Sequence, residues 1–140
     1  DEVVLKKYSP LFNADGLADG VVQCLASRTG HTALVCDRDA FLSGSGAGVR
    51  EIISKSVSKA IAGLMTGEKT AVVNQSDGSA PIELTDGETY GFCNELFIPI
   101  KTKNDVIGGI LLADKGKDQS VSSLDISLTA LSADFLASHF

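Results

Sequence analysis

Three cysteines (Cys24, Cys36, Cys93), two histidines (His31, His139) and a few placed acids are the residues here that could do chemistry. A nucleophilic thiol needs a lowered pKa and a base beside it. No histidine adjoins a cysteine in sequence, although His31 could approach one in space. The plain reading is three small buried hydrophobes. Their odd count and the lack of a CxxC spacing fit reduced thiols and a cytoplasmic location. Two scattered histidines do not make a metal site, and no cofactor is expected. Asp37 and Asp39 flank Arg38 and offer too few oxygens for a hard cation. Asp37-Arg38-Asp39 reads instead as a tight hairpin turn in which Asp bonds its own backbone, and the turn could form one lip of a pocket. Gly44–Gly48, GSGAG, precedes a helical stretch and suggests an anion cradle. It lacks the Gly-Lys-Ser/Thr ending and does not match GxGxxG, so it reads as a strand-to-helix connection.

Glu95 is the most informative acid. Strand residues alternate in direction, so Leu96, Ile98 and Ile100 face one side while Cys93, Glu95 and Phe97 face the other. With the first side against the terminal helices, Glu95 points toward the middle helical pieces, which present Ile53, Val57, Ile61 and Leu64. A carboxylate on an apolar face needs a partner or water. A ligand pocket is one answer and a wet strand edge the other. The pocket reading assigns Cys36, Asp39, Ile53, Val57, Ile61, Cys93, Glu95 and Phe97 to ligand binding.

The elements that must hold these residues follow from periodicity. At 140 residues and 44% hydrophobic content, residues 11–140 form one globular domain with an aliphatic core, since Trp is absent. The net charge of −6 argues against gripping a polyanion unaided. No run of about 18 apolar residues predicts a membrane span, and no signal peptide opens the chain. A helix is expected from about Asp15, as its cap, to Arg28, ended by Gly30. Strands are expected at 31–36 and 40–43, helical pieces at 49–53 and 57–65 with Ser56 capping the second, and a short strand at 70–73. A surface excursion over 74–90 carries one edge strand near Ile82–Leu84. A hairpin spans 92–101 and 106–113 around Asn104-Asp105. The last helix covers 121–138.

That last helix has two apolar faces. Val121, Leu124, Leu128, Leu131 and Phe135 follow a 3,4,3,4 spacing, and Ile126, Ala130, Ala133 and Ala137 form a face of small residues. A helix apolar on two sides must bury both. We therefore expect a homo-oligomer, dimer or tetramer, with Val22 of the first helix joining Leu124, Leu128, Leu131 and Phe135. The alternative is a helix wedged between sheet and first helix of one chain.

The order helix, two strands, helices, strands, hairpin, helix resembles a GAF domain. Pro99-Ile100 with Val106-Ile107-Gly108-Gly109-Ile110-Leu111 is similar to that fold's hairpin signature. Val3–Pro10 resembles the final strand and exit linker of an AbrB-type DNA-binding domain. Gly30–Asp39, GHTALVCDRD, resembles the first strand and turn of the GAF-like domain in the stage V sporulation protein T family. The chain also opens on Asp1 rather than Met, so a fragment or processed chain is expected, with residues 1–10 closing an upstream domain. The resemblance implies an α/β (α+β) fold: a central antiparallel sheet, the N- and C-terminal helices on one face, shorter helices and loops on the other. It implies a transcription regulator domain that joins subunits and senses a small molecule, with DNA bound only through the missing N-terminal domain. Two alternatives stand beside it. One is a thiol enzyme of the free methionine sulfoxide reductase type, using Cys36 and Cys93 on neighbouring strands. The other is a domain that only oligomerises.

Overall fold

The computed structural model describes residues 11, 16–116 and 119–140. The upstream strand and linker expected at 1–10, and the Asp15 cap, lie outside them. Helix α1 (Leu17–Thr29) follows Gly16 and ends at Gly30, both in the left-handed region. Strands β1 (Thr32–Asp37) and β2 (Phe41–Ser45) form a hairpin. Asp37 Oδ1 accepts the amides of Asp39 and Ala40, which is the turn chemistry the sequence predicts. A 3-10 turn at Val49–Glu51 leads to helix α2 (Lys59–Thr66). Its cap is Ser58 rather than Ser56: Ser58 Oγ accepts the Ile61 amide, whereas Ser56 bridges to Ala40. Strand β3 (Ala71–Val73) precedes the long excursion. Ile82–Leu84 forms no strand, because the Ile82 amide is spent on a side chain, Glu95. Strands β4 (Asn94–Lys101) and β5 (Val106–Asp114) and helix α3 (Ser123–Ala137) complete the chain.

The sheet is antiparallel throughout, in the order β2-β1-β5-β4-β3. Alternation sorts its side chains into two cores. Ala33, Val35, Leu96, Ile98, Ile100, Ile110 and Leu112 pack beneath α1 and α3. Leu34, Cys36, Phe97 and Leu111 face α2 and the loops, where Phe41, Ile52, Ile61, Met65 and Leu84 meet them. The Gly108-Gly109 pair has a packing cause. A Cβ at Gly109 would fall on the Phe97 ring across the ladder, and one at Gly108 on the Cys36 carbonyl.

Helix α3 turns its small face toward the sheet, and Val121, ahead of the helix, and Leu128 of the expected seam reach the same core. Ala133 and Leu136 are buried, with Ile126, Ala130 and Ala137 packed beside them. Small side chains let the helix axis come close to the strands. Leu124, Leu131 and Phe135 therefore point outward, Leu124 and Leu131 each 66% exposed. Val22 faces the opposite way from its expected role: it is 1% exposed, in the core shared by α1 and the sheet. The outward face of α1 belongs to Leu17, Gly20, Val21 and Cys24, which line an apolar groove of about 650 Å³ with Leu131 and Phe135.

Candidate functional site

Two polar clusters are buried on opposite faces of the sheet. The first holds α3 in place. His31, at the start of β1, sets Nδ1 3.0 Å from Asp114 Oδ2 and Nε2 2.9 Å from Asp125 Oδ2. Asp125 also closes a capping box: it accepts the Ser122 amide while its own amide donates to Ser122 Oγ. Each of these groups has its partners within the protein. The Ser-x-x-Asp spacing at 122–125 was readable in the sequence; the meeting of residue 31 with residues 114 and 125 was not, because nothing local links them. Among the described residues no cluster of metal-ligating side chains occurs.

The second cluster lies where β4 leaves the sheet's protected interior beside the edge strand β3. Glu95, opposite Val73 on β3 and Ala113 on β5, points to the loop face. Its side chain borders a cavity of about 210 Å³ walled by Ile82, Leu84, Tyr90 and Phe92. Oε1 accepts the Ile82 amide at 2.6 Å, and no hydrogen bond from the described residues reaches Oε2. Burial pushes the Glu95 carboxyl up to about 7, against the opposing pull of the Ile82 N–H. The cavity rim is a closed network. Lys55 Nζ donates to both Glu88 oxygens at 2.9 and 3.0 Å, and Glu88 Oε1 also accepts from the Thr85 and Tyr90 hydroxyls. These donors, the Lys55 ammonium first, hold Glu88 below the usual carboxylate range. Lys55 lies 5.6 Å from the centre of the Tyr90 ring.

Of the eight residues assigned to ligand binding from sequence, Glu95 alone lines this cavity. Cys36, Ile61 and Phe97 are fully buried in the loop-side core. Ile53 and Val57 are half-buried against that core, and Asp39 is exposed at the hairpin turn. Cys93 is half-buried, its thiol near the Gly91 carbonyl. The walls Ile82, Leu84 and Tyr90 belong to the irregular excursion, whose lack of period gives no face to read, and Phe92 lies ahead of β4, where the strand alternation does not yet hold.

Cys36 and Cys93 are not neighbours. β1 and β4 each pair with β5, not with one another. Cys36 sits opposite Gly109, while the Cys93 amide donates to Asp114, five residues on and roughly 17 Å along the strand. Burial pushes the Cys36 thiol up to about 12, the reverse of what a nucleophile needs.

A family profile described as "Stage V sporulation protein T C-terminal, transcription factor" matches residues 14–140. Stage V sporulation protein T of Bacillus subtilis (strain 168) is 29% identical over 136 residues, covering 97% of this chain and 74% of that protein. Among solved structures, the GAF domain from an Acinetobacter phosphoenolpyruvate-protein phosphotransferase is similar at a TM-score of 0.70 and 14% identity, covering 95% of this chain and 82% of that one. The second GAF domain of DevS from Mycobacterium smegmatis gives 0.69 and 14%, with 91% and 92% covered. A type II free methionine-R-sulfoxide reductase from Thermoplasma acidophilum gives 0.68 and 12%, with 91% of each chain covered. At such identities the likeness is one of fold, and the fold is an α+β GAF-like domain.

Proposed function

The chain belongs to the stage V sporulation protein T C-terminal family of transcription-factor domains, and from that premise we propose that it is the regulatory, non-enzymatic domain of a sporulation transcription regulator. The observation that carries this reading is the family match over residues 14–140 on a GAF-like fold. The domain has two jobs. It joins copies of itself as a homodimer or tetramer, and it senses a small-molecule effector in the cytoplasm. DNA is contacted by an AbrB-like N-terminal domain, because a chain of net charge −6 has no basic surface to spare for phosphates.

The groove between α1 and α3 supports self-association. Leu131 and Phe135 stand beside the small residues Gly16, Gly20 and Cys24, so a second copy related by a two-fold axis can set its bulky pair against this thin stripe. The Glu95 cavity supports sensing, since a buried carboxylate with a free oxygen awaits a partner. The thiol-enzyme reading gains no support from the cysteines: the Cys36 thiol is raised and its supposed partner is remote.

Native mass spectrometry of the freshly purified chain tests the proposal. The expected result is a dimer or tetramer carrying a small-molecule adduct; a bare monomer at micromolar concentration overturns it. Thiol labelling tests the non-enzymatic part. Exposed Cys24 should label first and Cys36 only on unfolding, and fast, low-pH reactivity at Cys36 or Cys93 would restore the enzyme.

A further inference from the structure

We propose that the Glu95 cavity takes a small protonated organic amine, with Glu95 Oε2 as its counter-ion and Ile82, Leu84 and Phe92 around its apolar body. This rests on the reading of the cavity as the effector site and names the class of effector. Three observations carry it. The first is the carboxylate itself. Glu95 is 1% exposed, yet only one of its oxygens is bonded, and the cavity adjoins it. Oε2 is not sealed in the core, since Thr129 Oγ1 is the buried side-chain atom left without a partner among the described residues; it opens on the cavity, where a donor can reach it and a charged donor makes the strongest bond.

The second is size. About 210 Å³ is below the usual range for drug-sized ligands. It admits a few carbons and a head group but no nucleotide or tetrapyrrole. The third is charge. The ionisable groups bordering the cavity are Glu83, Glu88, Glu95 and Tyr90, with no cationic side chain among them. The nearest ammonium groups are already engaged. Lys55 is held by Glu88, and Lys115 lies 5.6 Å from the Phe92 ring centre on that ring's face. The rim also shows the chemistry in miniature, as Lys55 satisfies Glu88 beside the Tyr90 ring.

Because burial holds the Glu95 carboxyl near 7, an entering ammonium displaces the carboxyl proton to solvent at lower pH. Affinity for the amine therefore rises with pH through that value. The other facing acids do not mask this, since Glu88 is held ionised by Lys55 and Glu83 is exposed.

Amide NMR of the whole chain, titrated in parallel with n-butylammonium, n-butanol and butyrate at about pH 8, tests this. Butylammonium should shift the amides of Ile82, Leu84 and Phe92 along a saturating curve. Butanol should bind about tenfold more weakly and butyrate not at all. Glu95→Gln keeps an acceptor for the Ile82 amide and should cost butylammonium about tenfold. A wild-type titration at about pH 5.5 should show the same weakening without any substitution, so the test survives a variant that fails to fold. If butanol or butyrate shifts these amides as strongly as butylammonium, the amine class is wrong while the effector site stands. If none of the three shifts them, both fail.

Discussion

Asp125 and Glu95 are both buried acids, one on each face of the same sheet, and they differ in how fully they are bonded. Asp125 takes a bond from the His31 ring and one from the Ser122 amide, and its own amide is capped in return. Glu95 takes one bond, from Ile82, and keeps an oxygen uncommitted beside a cavity. Burying a charge is costly unless it is fully paired. A completed cluster such as that of Asp125 therefore fixes architecture, here the seat of α3. An incomplete one such as that of Glu95 stores an unmet demand that a ligand can meet.

The largest effect should come from dismantling the complete cluster. His31→Ala removes the imidazole between Asp114 and Asp125, at a cost of about 3 kcal/mol. The melting temperature should fall on the order of 10 °C. A fall within the error of calorimetry would mean the cluster is not structural. Apolar surface offers the same contrast between covered and uncovered. Leu136 is covered by its own chain, while Leu131 is not. Leu131→Asp should raise the dissociation constant of self-association about 30-fold, read by sedimentation, with the melting of the monomer unchanged. An unaltered sedimentation profile would remove α3 from the interface.

A smaller effect belongs to the incomplete cluster. The Glu95 carboxyl is raised from 4.5 to about 7, so the folded state holds the proton more tightly than the unfolded chain. The stabilisation is full below the unfolded value and is lost as pH rises through about 7. Relative to Glu95→Gln, wild-type stability should thus decline by about 3 kcal/mol across that window. Denaturant titrations at both ends measure it, and parallel curves for the two proteins would show Glu95 to be ordinary. The smallest effect is expected at Thr129. Its hydroxyl is the buried side-chain polar atom without a partner among the described residues. Thr129→Val removes that unmet group and should stabilise by up to about 1 kcal/mol in calorimetry.

Much of the frame was legible because it is written in short-range patterns. The alternation from Cys93 to Ile100 assigns each side chain to its face of the sheet, and the structure agrees. The two apolar faces of α3 were also readable, as was the turn at Asp37. Which face would meet the sheet was not. Spacing reports that a helix is apolar on two sides, but only the closeness of α3 to β4 selects Ala133 and Leu136 over Leu124 and Leu131. Val22 lies in that core for the same kind of reason: α1 turns Ala18, Val22 and Leu25 toward the sheet.

By itself, then, the amino-acid sequence determined the strands and helices of regular period, the alternation that sorts strand side chains between faces, and the family, because these depend on neighbours within a few positions. Tertiary structure alone decided three things. It brought His31 between two acids 83 and 94 residues away. It set Cys36 and Cys93 apart. It walled Glu95 with an excursion that has no period of its own. Each depends on where distant segments meet, and that is decided by how the layers pack rather than by any local spacing.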